Sequence, residues 1–450
     1  MEEERRLTQI ADLCVRIGEV LMASGAGASD VTATMQAVAW AMGQNDPEID
    51  VTFTSLSVSL DRAGEQAPVM VLRLVKHRAL DYEVLTRVDR LTRDIVGGHV
   101  DLDAARKQMN QIVSAPHTLP RWAVTLAHGV MCAAVAVYLG GGIAVTLGAL
   151  VAAMVIDRLQ QRLTAQRLPV FYLQVAGGLV ATLLALGLHA LVPNTDSSLV
   201  VTANIMMLLA GIGFMGALQD ALMGFYLTAS ARLLEAMLST GGIIAGVSGG
   251  LALGRMAGMD LGILEPGRID LASLPTVVLG GAISAAAFAV ASRAPWRSWF
   301  PIAVVAGVGS VIFQVIDASS MGRTWAAGTA AFFVGLVAFG VSGRFKVPPL
   351  VVAVAAVVPF LPGLSIYRGL SLLATGLAGT VTGLLAMVTA VSVAVALAAG
   401  VLLGEYVAQP VKREARRLEN RLAGPRMVGV SRVRRRRPRG STAGQDGEPA

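Results

Sequence analysis

The chain has 450 residues, 54% of them hydrophobic and only 15% charged, with a formal net charge of +7 and a mean hydropathy of +0.63. That balance excludes an ordinary soluble enzyme or binding domain and identifies an integral membrane protein. Charge is unevenly spread, with 12 Lys/Arg against 17 Asp/Glu over residues 1–116, 13 against 8 over 117–404, and 12 against 5 over 405–450, so the sequence divides into three parts.

Residues 1–116 read as a cytosolic α/β domain. The opening MEEERRLTQIADLCVRIGEV is acidic and amphipathic and lacks the basic start, apolar core and cleavage site of a secretory signal, so this end is expected in the cytosol. Leu7, Ile10, Leu13, Cys14, Ile17 and Leu21 recur at helical spacing. Ser24-Gly25-Ala26-Gly27 then breaks the helix, and Ser29 or Asp30 is placed to cap a second helix carrying Val31, Met35 and Val38. IDVTFTSLSVSL (49–60) and APVMVLRLV (67–75) predict two strands joined by a DRAGEQ hairpin. Two amphipathic helices follow, over 81–96 and 101–113. Cys14 and Cys132 fall in such different settings that two buried free thiols are expected rather than a disulfide.

From Trp122 onward ten apolar runs are separated by short polar turns: 121–139, 141–156, 170–192, 200–218, 231–253, 274–292, 300–316, 324–341, 347–361 and 370–404. Several fall short of the ~20 residues a straight span needs. With a cytosolic N-terminus, Arg158, Arg162, Arg167, Arg232, Arg293, Arg297, Arg344 and Lys346 lie inside. The outside loops mix Arg255, Arg268, Arg323 and Arg368 with Asp196, Asp260, Glu265, Asp270 and Asp317. This is the positive-inside pattern. The runs split into modules over 117–256 and 270–404. Leu119-Pro120 and Leu274-Pro275 open the two modules, and Val155-Ile156-Asp157 and Val315-Ile316-Asp317 end their second runs. An odd number of spans per module forces opposite orientations. The expected fold is an α-helical integral membrane protein with about ten transmembrane helices as two five-helix inverted repeats, the alternative being ten helices without internal symmetry.

The fourth run of each half carries the most unusual chemistry: LLAGIGFMGALQDAL (208–222) in the first, VVPFLPGLSIYRGL (357–370) in the second. Each interrupts an apolar helix with Gly or Pro and resumes with a polar pair and a leucine, Gln219-Asp220-Ala221-Leu222 against Tyr367-Arg368-Gly369-Leu370. Proline removes a backbone donor, which within a membrane requires protein or a water-filled cavity around it, and matched interruptions point to a transport site. The plain alternative is a helix end, with Arg368 reaching to the interface. Candidate substrate-binding or coupling residues are Gly211, Gln219 and Asp220 in the first motif and Pro359, Pro362, Gly363, Ser365, Tyr367 and Arg368 in the second. Glu235 joins them because it and Asp220 are the only carboxylates between Leu199 and Gly254, and charge at membrane depth is costly. A local ion pair with Arg232 is the competing account. Asn204 and Gln174 complete the set, with interhelical hydrogen bonding as their alternative role. His128 and His189 read as histidines satisfied by a neighbouring carbonyl.

LCVRIGEVLMASGAGASDVTATMQAVAWAMG followed by IDVTFTSLSVSL, the stretch ALQDALMGFYLTASARLLEAML (217–238) and VVPFLPGLSIYRGL together resemble the threonine/serine exporter family of bacterial membrane proteins, over nearly the whole chain apart from the tail. In that family a cytosolic domain and a five-span module are followed by a second five-span module, sometimes on a separate chain; here both are fused. The resemblance implies export of L-threonine and L-serine driven by the proton gradient, in the bacterial cell membrane with both termini cytosolic. Where many relatives have Pro-Gly in the first interrupted helix, this chain has Ala210-Gly211, and Gly216 stands at an often polar position.

No cofactor and no metal are expected, because the chain lacks His-Glu-x-x-His, Gly-x-Ser-x-Gly, a Walker loop and metal-type Cys/His spacing. The rival readings are a channel, a ligand sensor with a regulatory cytosolic domain, and a membrane-embedded hydrolase using Ser24, Asp30, Thr52, Thr54, Ser55 or His77. The last run would reach roughly 50 Å if wholly helical, so it must tilt, bend at its glycines or extend past the bilayer. The tail over 405–450, with Arg434 to Arg437, reads as cytosolic disorder drawn to anionic lipid, without nucleic-acid binding. A homo-oligomer is compatible with the sequence.

Overall fold

The computed structural model describes residues 2–422 except 63–66, 77, 194, 209–210, 260–273, 320 and 375–376. Most of the DRAGEQ connection, His77, the loop charges Asp260, Glu265, Arg268 and Asp270, and the Arg434 to Arg437 run lie outside the described residues. Met1–Gln409 form one compact unit.

The unit opens with α1 (Glu2–Ala23) and α2 (Ala28–Ala41), joined by a turn in which Gly25 takes a φ of +100°. Three antiparallel strands follow in the order β1 (Glu48–Val51), β2 (Ser55–Leu60), β3 (Val69–Leu74), with Ile49 opposite Val58 and Ser57 opposite Leu72. The run 49–60 is therefore two strands, not one. The Thr52 N–H and hydroxyl both donate to the Ser55 carbonyl, at 2.9 and 3.1 Å, and close a tight turn. Thr52, Phe53 and Thr54 all favour extended structure, so propensity concealed a turn made by a hydroxyl. Leu56, Val58 and Leu60 alternate inward, and α1 packs on β2 and β3. The layer is completed by α3 (Tyr82–Val96) and α4 (Leu102–Ser114), each begun by a local aspartate cap, Asp81 and Asp101. Both cysteines are free and buried; burial pushes the Cys14 thiol up to about 12.

The rest is helical: α5 (Arg121–Tyr138), α6 (Ile143–Ala165), α7 (Val170–Leu191), α8 (Ser198–Leu208), α9 (Gly211–Leu222), α10 (Tyr226–Met256), α11 (Leu274–Ala291), α12 (Trp299–Asp317), α13 (Arg323–Phe345), α14 (Pro349–Val357), α15 (Gly363–Ala374) and α16 (Leu377–Leu422). Among the described residues, α5, α6, α7, α10, α11, α12, α13 and the Gly379–Ala408 stretch of α16 are the eight long and apolar enough to cross a membrane. On α6, Ile143, Leu147, Val151 and Val155 form an exposed stripe suited to acyl chains rather than water. Two further apolar stretches are broken elements: α8 and α9 are bent by 44° to each other, and α14 passes through a 3-10 turn, Val358–Phe360, and an extended Leu361 before α15 begins. The run from 370 onward is not one helix, since residues 370–374 belong to α15, and α16 starts at Leu377 and continues to Leu422.

Glycines set the closest helix contacts. A Cβ on Gly242 would lie 2.5 Å from the Phe171 carbonyl oxygen, and one on Gly246 would overlap that of Val175, so α10 lies directly on α7. Gly400 and Gly404 meet the carbonyls of Gly328 and Phe332 in the same way, laying α16 on α13. The N-terminal layer is tied to both halves: the Tyr82 N–H donates to the Ser292 carbonyl at 2.9 Å, Arg293 pairs with Asp81 at 3.1 Å, and the Thr228 hydroxyl donates to the Val51 carbonyl at 3.3 Å.

Candidate functional site

α2 has no side-chain cap of its own. Its N-cap residue is Gly27, so neither Ser29 nor Asp30 takes the role predicted for it. The acceptor comes instead from α9, where Asp220 Oδ1 receives the Ala28 N–H at 2.8 Å. This carboxylate is 1% exposed and needs a counter-charge. Arg232 on α10 supplies it, with Nη1 2.9 Å from Asp220 Oδ2, while Nη2 donates to the Ala26 carbonyl at 2.8 Å. Asp220 and Arg232 thus clamp the α1–α2 turn from the bundle side, the carboxylate facing the positive end of α2. The local Arg232–Glu235 pair is not formed. Glu235 has its side chain 49% exposed, 3.9 Å from Arg78, whose guanidinium lies over the Phe53 ring; burial lowers Arg78 to about 10.

Around the clamp lies a cavity of about 490 Å³ that collects the carboxylates of Asp30, Asp89, Asp220 and Glu405, the guanidinium of Arg232, and the polar side chains of Ser29, Thr34 and Gln219. Burial, reinforced by the Asp220 charge, raises the Asp30 pKa above its ordinary value. Burial raises Asp89 as well, against the opposing pull of Arg93.

A second cavity, of about 280 Å³, lies among α13, α15 and α16, lined by Arg323, Ser365, Arg368, Thr382 and Thr389 and, among the described residues, by no carboxylate. Phe339 of α13 and Leu402 of α16 line the first cavity, Arg323 and Thr382 of the same helices the second. At a rise of about 1.5 Å per residue these pairs are about 24 and 30 Å apart, close to the hydrocarbon thickness of a bilayer. The acidic and basic cavities therefore sit toward opposite ends of the apolar stretches of the same two helices.

Of the sequence-derived candidates, Gln219 and Asp220 meet at the acidic cavity, and Ser365 and Arg368 at the basic one. Gly211 and Gly363 begin α9 and α15. Pro359 and Pro362 are buried at the break between α14 and α15. The Tyr367 side chain lies outside the described residues. Asn204 is buried within α8, donating to the Val200 carbonyl at 2.8 Å. Its amide oxygen and that of Gln174 are buried without a partner among the described residues; neither residue lines either cavity. Thr52 and Ser55 hold the β1–β2 turn together. His128 does accept the reading made for it, sharing Nδ1 with the Val124 carbonyl at 3.0 Å.

Glu405 and Arg323 line the cavities without being candidates on sequence grounds, and Asp30 is one only for a helix cap or for the hydrolase alternative. Asp30 resembled a helix cap and Arg323 a loop charge, and nothing local distinguishes them. Glu405 carried a signal: it is the first charge after the long uncharged stretch that follows Arg368.

Residues 12–254 match the family model described as "Putative threonine/serine exporter", and residues 277–407 the one described as "Threonine/Serine exporter, ThrE". The chain is 35% identical over 440 residues to the "Probable threonine/serine exporter" of Mycobacterium tuberculosis, spanning 96% of this chain and 83% of that protein. It is 33% identical over 422 residues to the "Threonine/serine exporter" of Corynebacterium glutamicum, spanning 92% and 86%. No solved structure matches. The two family matches cover the N-terminal layer and both sets of apolar helices, and the relatives align over more than nine-tenths of the chain. The chain belongs to the threonine/serine exporter family, multi-pass bacterial membrane proteins that work as transporters rather than enzymes.

Proposed function

We propose that the protein is a secondary transporter that moves L-threonine and L-serine out of the cell, drawing on the proton gradient. The observation that carries this reading is the acidic cavity at the Asp220–Arg232 clamp. Asp30 and Glu405 suit an ammonium group, and Ser29, Thr34 and Gln219 a side-chain hydroxyl, while Arg232, already paired with Asp220, borders the same space. Asp30, Asp220 and Glu405 are also titratable groups facing one space, which is what proton coupling requires of at least one of them. The names carried by the two relatives agree with this substrate class.

Two inverted repeats of five helices are supported by packing. α10 meets α7 through Gly242 and Gly246 over the carbonyls of Phe171 and Val175, and α16 meets α13 through Gly400 and Gly404 over those of Gly328 and Phe332. The four-residue spacing is the same on both sides of each contact. α5 with α6 and α11 with α12 pack alike, as do α7 with α8 and α13 with α14. In this layout the broken pair α8–α9 corresponds to α14–α15, and residues 1–116 face the cytosol beside the arginine-rich helix ends. The basic tail adds attraction to anionic lipid.

The test is counterflow. In proteoliposomes, labelled threonine should enter saturably, be accelerated by unlabelled threonine on the opposite side, and respond to an imposed pH gradient. A linear flux that never concentrates label would identify a channel, and threonine binding without flux a sensor.

A further inference from the structure

We propose that Arg323 and Arg368 form a second ligand site that holds the α-carboxylate of the amino acid at the end of the bundle away from the N-terminal layer. The identity of the ligand rests on the export reading above; the existence of a carboxylate site does not. The basic cavity brings two guanidinium groups to one space together with the hydroxyl-bearing Ser365, Thr382 and Thr389. Asp317, the acid nearest to Arg323 in the chain, does not line it. Two guanidinium groups facing one cavity, with no carboxylate among its described lining residues, make that space attractive to an anion.

The chemistry of the lining favours a planar oxyanion. Arg323 is positioned over the Phe313 ring, 5.5 Å from its centroid. That contact is a cation–π approach to the ring, and a guanidinium carries a planar fork of N–H donors that matches the two oxygens of a carboxylate. Arg368 projects from α15, just after the proline break, so its position is set by the segment that the break creates. The flanking hydroxyls can donate to the remaining carboxylate lone pairs or meet the ligand's own hydroxyl.

Charge placement gives the site a direction. Asp220 and Arg368 hold matched places in the two interrupted motifs, Gln-Asp-Ala-Leu and Tyr-Arg-Gly-Leu, yet they line cavities of opposite character. A zwitterion leaving the acidic cavity, where its ammonium is matched, arrives at a basic cavity that matches its carboxylate.

The test uses the full chain in right-side-out and inverted membrane vesicles, with the apparent affinity for threonine measured separately from each side by exchange. Arg323→Gln and Arg368→Gln should each weaken affinity about tenfold or more on the side of the basic cavity, as loss of a charge-assisted bidentate contact would, and change the other side by less than about twofold. Arg368→Lys, which keeps the charge but not the fork, should fall between. Equal losses on both sides, or none, overturn the site. A side-selective loss seen only in vesicles containing anionic phospholipid would assign the pair to a lipid headgroup and overturn the carboxylate.

A second arm does not need transport. Phenylglyoxal modification of Arg323 and Arg368 in the purified protein, mapped by mass spectrometry, should be slowed by L-threonine and by acetate but not by threoninol, which lacks the carboxylate. Absence of threonine exchange in the wild type together with acetate protection would end the export reading and leave the anion site standing. No protection by either carboxylate would remove the site itself.

Discussion

Asp220→Ala is the substitution whose consequence the geometry defines most closely. Asp220 is 1% exposed and the Arg232 side chain 10%, so removing the carboxylate leaves a buried guanidinium with no counter-charge and the Ala28 N–H with no acceptor. Stripping one partner from a buried ion pair costs roughly 3–5 kcal/mol, and loss of a helix N-cap acceptor about 1 kcal/mol. The two overlap, and Arg232 borders the cavity and can turn toward it, so the low end, about 3 kcal/mol, is the figure to test. Since 1.4 kcal/mol is about a factor of ten, the α1–α2 turn should open roughly a hundredfold more often. Hydrogen exchange in peptides covering residues 24–31 should accelerate by about that factor, while those in α7 and α10 keep their rates. Asp220→Asn retains an acceptor for Ala28 and should lose less. Combined with Arg232→Gln it should give a coupling energy of at least about 1.5 kcal/mol. A charge swap would not rescue, because arginine at 220 would face the Ala28 N–H and aspartate at 232 the Ala26 carbonyl. Wild-type exchange at the turn in Asp220→Ala would refute the clamp.

Three further outcomes are expected. Asp220→Asn should insert normally but lose threonine efflux driven by a pH gradient; unchanged efflux and pH dependence would remove Asp220 from coupling. The Asp30 pKa is raised in the folded protein above its ordinary 3.8, so its contribution to stability is complete below that value and is lost as pH rises through the raised one. Asp30→Asn should therefore flatten the fall in melting temperature from about pH 4 upward, and an identical pH profile would contradict the burial of the group. Gly246→Ala and Gly404→Ala each put a methyl into a carbonyl oxygen and should cost about 1–3 kcal/mol, read as a lower melting temperature in detergent; wild-type melting of both would show that the helix pairs are not in that contact.

The sequence was legible where the cause of a structure is local. Helical spacing from Leu7 to Leu21 and the amphipathic runs over 81–96 and 101–113 match α1, α3 and α4. The break at Pro359 and Pro362 was legible because proline has no N–H to offer, whatever surrounds it. What stayed hidden is action over long chain separations. Ser29 and Asp30 are good cap residues, yet Asp220 caps α2, and no spacing rule connects positions 28 and 220. Arg232 and Glu235 have helical pairing distance, but burial beside the turn draws Arg232 to Asp220. Thr52 to Thr54 have strand propensity, which the backbone and hydroxyl bonds between Thr52 and Ser55 overrode.

The broken helix acquires a more specific meaning from what lies on either side of it. Pro349, Leu350 and Val354 of α14 line the acidic cavity, whereas Ser365 and Arg368 of α15 line the basic one, so the break falls between the two cavities along the chain. A continuous helix would carry both ends together in any tilt, while a joint lets the two segments move in different senses, as the proposed passage between the cavities would need. The joint is also wired to the basic cavity: Phe360 stacks on Phe313 at 5.5 Å, with planes 10° apart, and Phe313 lies beneath Arg323. Pro362→Ala returns an N–H at the joint and should slow exchange while leaving insertion and the affinity on the acidic side unchanged. Phe360→Leu keeps an apolar filler but removes the stack, and should weaken affinity at the basic side alone. Wild-type kinetics in both variants would reduce the break to a helix end, and loss of affinity on both sides in Phe360→Leu would make the stack a packing element with no directional role.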